Sequence, residues 1–225
     1  MKNTAIKIGL RNSSPEVIGG VDEAGRGPVI GPMVVCGLVF RKEKLSEIKV
    51  RDSKTLTPSR RKILYKEILN SAEAVSVRIV SPEEIDAWRE KDTINSLEAK
   101  VFAEVIKDLE EYTDVFYVDS ADANAERFAH SVHRILSGSV AIIAEHHADS
   151  KYPVVSAASI VAKVIRDREI EKISKEIGFF GSGYPSDMRT VEFIKKWLDE
   201  HGEFPPYTRK SWKTLRRIGG ENGSN

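Results

Sequence analysis

A chain of 225 residues, 40% hydrophobic and 31% charged, can bury one sizeable core with at most a small appendage. Its 35 Lys and Arg against 34 Asp and Glu leave a formal charge of +1, so only local clusters can argue for a nucleic-acid partner. A single cysteine excludes an internal disulfide framework, and no apolar run approaches the roughly 20 residues of a membrane span. The N-terminus lacks a signal-peptide core, so the expected location is cytoplasmic.

Residues 1 to about 14 show no clear pattern and are expected to be partly loose. Val17-Ile18 then opens an apolar strand that ends in Asp22-Glu23 and the turn Gly25-Arg26-Gly27-Pro28. Neighbouring side chains of a strand point to opposite faces, so the two acids share a site only where the strand is ending. The glycines supply that ending and allow close backbone approach, and Arg26 adds a phosphate-seeking fork. Taken alone, the segment reads equally well as a tight turn with solvated charges. Val29 to Phe40 is a second apolar run, broken by Gly31-Pro32 and Gly37, close enough to pair with the first as a hairpin.

Arg51 to Leu56 is a polar loop. Thr57-Pro58 then has the form of an N-cap and first helical residue, with Ile63, Leu64, Ile68 and Leu69 as the apolar face. Val75 to Val80 alternates as a half-buried strand, and Ser81-Pro82 opens a short helix to about Trp88. Ile94, Leu97, Val101, Val105, Leu109 and Tyr112 step at helical spacing. Val115 to Val118 is an apolar strand ending in Asp119; a helix follows through Phe128, Val132 and Leu136, closed by Gly138. Val140 to Ala144 is another strand, with Asp149 shortly beyond. Pro153 starts a helix rich in small residues that runs to about Ile177. After a loop containing Gly181-Ser182-Gly183-Tyr184-Pro185 come a helix from Val191 to Leu198, a cationic segment Arg209 to Arg217, and a Gly/Asn/Ser tail. The order predicts a mixed sheet flanked by helices, with a helical C-terminal part.

Three apolar strands thus each deliver carboxylate at or just beyond their ends: Asp22 with Glu23, Asp119, and Asp149. If those strands are neighbours, four carboxylates come together, and like charges so close call for divalent cations. All-oxygen ligands suit Mg²⁺ or Mn²⁺ better than Zn²⁺, and a pair of such ions suits phosphodiester cleavage.

At this point a resemblance becomes specific. Gly20 to Pro28 is similar to the signature of type 2 ribonuclease H, ribonuclease HII. Asp52-Ser53-Lys54-Thr55-Leu56, Val118-Asp119-Ser120 and Ala148 to Ile160 resemble that family's further motifs in order and spacing. Gly181 to Pro185 and Arg209 to Trp212 look like its archaeal and eukaryotic branch, so the match spans Gly19 to about Leu215. The resemblance implies a ribonuclease-H-like α/β fold, with residues 1–180 catalytic and 181–225 a helical substrate-binding extension ending in a flexible tail. It implies an endonuclease that cleaves the RNA strand of RNA/DNA hybrids and incises DNA 5′ of single embedded ribonucleotides, leaving a 3′-hydroxyl and a 5′-phosphate. Asp22, Glu23, Asp119 and Asp149 would hold two Mg²⁺ or Mn²⁺ ions and carry the reaction. Gly25, Arg26, Gly27, Asp52, Ser53, Lys54, Lys163, Tyr184 and Arg209 would bind substrate, with Lys54, Lys163 and Arg209 on phosphates and the Gly25 to Gly27 turn and Tyr184 sensing the ribonucleotide. A monomer is expected. No convincing sliding-clamp-binding peptide follows Leu215, so a clamp contact is doubtful.

Competing signals are weaker. His146-His147 lacks zinc-site spacing, and Gly25-x-Gly27 lacks the third glycine of a dinucleotide fingerprint. Trp88 and Trp197 read as packing residues, while Trp212 among cations reads either as nucleic-acid contact or as docking of the tail. Arg60-Arg61-Lys62 is either a solvated face or a phosphate track. A sugar-kinase or actin-like ATPase would need a second phosphate loop and two lobes, for which 225 residues is short. A non-catalytic nucleic-acid-binding module has no use for four acids that repel the backbone.

Overall fold

Alternating burial in the strands and apolar stripes in the helices generate a five-stranded mixed sheet with helices around it, seen in a computed structural model that describes residues 16–48, 50, 57–136 and 140–218. In chain order the elements are β1 (Val17–Ala24), β2 (Met33–Arg41), α1 (Lys42–Glu47), α2 (Pro58–Ser71), β3 (Ala74–Val80), α3 (Pro82–Arg89) and α4 (Ile94–Lys107). There follow β4 (Val115–Asp119), α5 (Ala125–Leu136), β5 (Ala141–Glu145), α6 (Ala148–Lys151), α7 (Pro153–Ile177), α8 (Met188–His201) and α9 (Lys213–Ile218). The sheet order is β3-β2-β1-β4-β5, with β4 parallel to both β1 and β5. The loose N-terminus, the Asp52-Ser53-Lys54 loop, the Gly138 helix stop and the final tail of the sequence reading lie outside the described residues.

Local chemistry sets the helix starts. The Thr57 hydroxyl accepts the Arg60 amide at 3.3 Å and Ser81 accepts that of Glu84 at 3.2 Å. Each cap is worth about 1 kcal/mol against Ala. The small residues of α7 serve close approach: a Cβ on Gly20 of β1 would lie 2.6 Å from the Val154 backbone, so no other residue fits there. Three expectations need correcting. The second strand begins at Met33, because Val29 and Ile30 are taken up by loop pairing, including a bridge from Ile30 to Thr208. Helices α1, α6 and α9 were not anticipated; each is six residues or shorter, too brief to show a period. β3 alternates as expected, with Val75, Val77 and Ile79 the more exposed set and Ser76 and Arg78 reaching Asp108 and Glu104. Ile63 of α2 is also exposed.

The chain divides into two compact units, and the line does not fall at residue 180. The first comprises Met1–Ala24, Val35–Arg78 and Asn95–Val164; the second comprises Gly25–Val34, Ile79–Ile94 and Ile165–Asn225. The second unit collects early segments because the C-terminal chain binds them through its backbone. Val29 N–H donates to Gly183 O at 2.8 Å, Arg209 N–H to Val29 O at 2.8 Å and Gly31 N–H to Tyr207 O at 2.9 Å. Its core is Val29, Ile30, Ile173, Phe180, Ile194 and Leu215. Among the described residues no helix is long and apolar enough to cross a membrane.

Candidate active site

Strand register places the acids of the first unit. Val21 pairs with Val118 across the parallel β1–β4 ladder, and each is followed by a carboxylate, Asp22 and Asp119. The two strands therefore present acids side by side. Asp22 is 4% exposed and accepts the Glu23 amide at 2.8 Å. Beyond β5 the chain turns through His147 in the left-handed region (φ 57°) into α6, and the Ala148 amide donates to Asp119 Oδ1 at 2.9 Å. That bond ties the segment carrying Asp149 back to β4. Asp149 is buried and accepts the Ser150 hydroxyl at 3.2 Å.

The electrostatics are those of acids forced together. Burial first, and then the neighbouring Asp119, push Asp22 up from 3.8 to about 7; Ser159, the Glu23 amide and Lys163 offset part of this. Burial, then Glu98, Asp22 and Asp119, hold Glu23 well above the ordinary carboxyl range. Glu98, fully buried on α4, escaped the sequence reading. Its signal was present: it falls between Ile94 and Val101 inside the apolar stripe, where a solvated acid does not belong. His146, the competing metal candidate, is exposed, with Nδ1 at 3.1 Å from the Ser120 carbonyl. Cys36 is buried core, its thiol pushed up chiefly by desolvation.

The donor set fits a hard divalent cation: it is all oxygen, and buried Glu23 Oε2 has no hydrogen-bond partner. As the side chains stand, no three His, Cys, Asp or Glu residues among the described ones converge on a point that holds an ion.

The second unit carries the Gly25-Arg26-Gly27 turn, Tyr184 and Arg209. Gly25 has φ +79°, and a Cβ there would lie 2.6 Å from Pro32 O, so only glycine makes this turn without strain. Tyr184 stands beside the turn, 3.7 Å from the point where a Cβ on Gly27 would lie. The Arg166 guanidinium is 5.1 Å from the centre of its ring and donates to Ser182 O at 2.5 Å. Arg209 overturns its assignment as a phosphate contact. It is 0% exposed, and its guanidinium donates to the carbonyls of Gly25 (2.6 Å), Arg26 (2.7 Å) and Gly31 (2.8 and 3.0 Å). Burial and nearby Arg166 weigh against its charge, and the carbonyl oxygens compensate. Arg209 is a brace for the turn. Lys163 lies in the field of Asp22, in the first unit. Asp52, Ser53 and Lys54 are outside the described residues.

Two outcomes follow from these environments. Arg209→Ala should lose about 3–5 kcal/mol in urea denaturation, since several charge-assisted bonds and a large buried side chain go together. Arg209→Lys, which keeps charge but not the fork, should lose most of it too; a lysine variant as stable as the parent would return Arg209 to a purely electrostatic role. Asp22 is raised on folding, so its contribution is fully present below its unfolded value of 3.8 and is lost as pH rises through about 7. In EDTA the chain should therefore lose up to about 4 kcal/mol between pH 4 and 8, and Asp22→Asn should reduce that slope. Urea titrations across the range measure both.

With this geometry in hand, comparison with known proteins is decisive for the family. The family model described as Ribonuclease HII matches residues 19–215. The chain is 48% identical over 204 residues to the ribonuclease HII of Pyrococcus abyssi, covering 89% of this chain and 90% of that protein. The crystal structure of ribonuclease H2 from Pyrococcus horikoshii superposes with a TM-score of 0.84 at 45% identity, covering 91% and 97% of the two chains. Ribonuclease HII from Archaeoglobus fulgidus, solved as a complex with PCNA, gives 0.82 at 42% identity, covering 88% and 95%. The expected mixed sheet flanked by helices is the fold these relatives share. The chain belongs to the ribonuclease HII family, enzymes that cleave the RNA of RNA/DNA hybrids.

Proposed function

We propose that the enzyme incises the RNA strand of hybrids and also DNA 5′ of a single embedded ribonucleotide, leaving a 3′-hydroxyl and a 5′-phosphate, with two Mg²⁺ or Mn²⁺ ions. The observation that carries this reading is the side-by-side placement of acids on the parallel strands β1 and β4, where Asp119 adds to the burial that raises Asp22 and Glu23. Asp22, Glu23, Asp119 and Asp149 are the residues that would hold the ions. Divalent cations bound there supply charge stabilisation at the phosphate and activation of water.

The chain's own groups do the rest. The Ala148 amide holds one oxygen of Asp119 and so fixes the orientation of that carboxylate. Lys163 lends positive field to Asp22. In the second unit Arg209 already occupies the carbonyls of Gly25 and Arg26, so recognition of a 2′-hydroxyl falls to the turn's amides, to exposed Gly27 and to the Tyr184 phenol beside it.

Asp119→Asn should abolish cleavage of a duplex containing one ribonucleotide, assayed with Mg²⁺ and without ATP, while binding in EDTA persists. Asparagine keeps an Oδ1 for the Ala148 amide and relieves repulsion, so the variant should be at least as heat-stable as the parent in EDTA. Easier unfolding would make Asp119 structural. Tyr184→Phe should lose roughly 1–3 kcal/mol of selectivity for the single-ribonucleotide duplex, and Tyr184→Ala more, with long hybrids suffering less. Equal losses on both substrates would sink the sensing role and leave Tyr184 as general support.

A further inference from the structure

The second unit contains a cavity of about 340 Å³ whose lining includes Arg26, Gly27, Arg89, Ser211, Trp212 and Lys213. That volume is at the lower end of the range for small-ligand sites, about 300–1,000 Å³. Three of its walls are cations, and no acidic side chain is among the described lining residues. Cations gathered about a concave space without acids raise the local concentration of anions.

The wall is also built rather than incidental. Asp86 of α3 accepts the Lys210 amide at 2.7 Å, the Ser211 amide at 3.0 Å and the Ser211 hydroxyl at 2.5 Å. This carboxylate is spent on backbone and hydroxyl, fixing the segment from which Trp212 and Lys213 project. The Trp212 ring lies 5.1 Å from the guanidinium carbon of Arg209, and so is held by the same residue that braces the Gly25–Gly27 turn. Arg89 is exposed and donates one N–H to Asp92 O at 3.1 Å, which settles its direction while leaving the fork other donors.

We propose that this cavity is a nucleotide subsite for the DNA flanking the ribonucleotide: Arg89 and Lys213 take a phosphodiester, and Trp212 offers a face to the adjoining base or sugar. Stacking plus phosphate contact is the sequence-independent mode by which proteins grip single nucleotides of a strand. The proposal rests on the nuclease reading for its choice of ligand, and its test does not depend on cleavage.

The test uses the full chain with fluorotryptophan at Trp88, Trp197 and Trp212, in EDTA, titrated with a short all-deoxyribose single strand. The ¹⁹F resonance of Trp212, assigned through Trp212→Phe, should shift on titration while those of Trp88 and Trp197 hold. R89Q/K213Q should lower the log–log salt slope of binding by about 1.4, two contacts at roughly 0.7 each. Lys213 is exposed, so K213Q alone, with half that change, serves if the double variant folds poorly. A silent Trp212, whether or not the strand binds elsewhere, overturns the proposal, as does an unchanged slope in a folded variant. Cleavage of a ribonucleotide-containing duplex is scored separately. Shifts at Trp212 without cleavage would overturn the nuclease reading and spare the subsite; cleavage with a silent Trp212 would do the reverse.

Discussion

Carboxylates buried side by side are the constraint on which the first unit depends. Asp22 and Asp119 lie side by side on adjacent parallel strands, Glu23 and Glu98 lie in the same field, and among the described residues Lys163 lends positive charge to Asp22. Such a group is unfavourable wherever water is excluded, so the surrounding structure must be held by other contacts. It is: β1 and β4 are lined by Val21, Phe116 and Val118, all fully buried, and Gly20 lets α7 come down directly onto β1. Packing energy distributed over the sheet fixes the positions of groups that would otherwise separate. A cation that lowered the repulsion would recover part of that cost, which links binding of an ion to stability of the fold.

The second unit solves the opposite problem with one side chain. A turn with φ of +79° at Gly25 and carbonyls directed inward needs donors, and Arg209 supplies four bonds from a fully buried guanidinium. Arg209 and the turn are more than 180 residues apart in sequence, which is why Gly25–Val34 groups with the C-terminal chain. The same guanidinium orients Trp212, and Asp86 pins the two residues before it. Turn and tail are thus one polar assembly around a small apolar core of Val29, Ile30, Phe180, Ile194 and Leu215.

The order of strands and helices was legible because long amphipathic and apolar runs dominate it. Leu97, Val101 and Val105 are buried as their spacing requires, and the caps at Thr57 and Ser81 form as their residue types require. The strand-end acids were legible for the same reason: a carboxylate closing an apolar run has few other uses. What was not legible depends on partners remote in sequence. Glu98 stands out inside its apolar stripe, but that it lies in the field of Glu23 shows only once β1 is in place. Val75, Val77 and Ile79 alternate correctly, but which face of an edge strand is covered depends on where Ser76 and Arg78 find acids. The compact units could not be read at all as a cut along the chain, since their boundaries follow hydrogen bonds spanning well over a hundred residues.

Arg209 shows most clearly where a motif stops informing. A cation beside Ser211 and Trp212 in a segment rich in Lys and Arg has the composition of a phosphate-binding patch, and in Lys213 that composition faces solvent. Four positions earlier the same kind of residue is sealed from water, with carbonyl oxygens taking the place of phosphate oxygens around its fork. The chemistry of the guanidinium is unchanged between these two uses: planar donors seek in-plane oxygens. Only burial decides whether the oxygens belong to the ligand or to the chain. A cation that braces the Gly25–Gly27 turn, with others lining the cavity beside the aromatic ring it holds, lets one short segment carry both rigidity and charge.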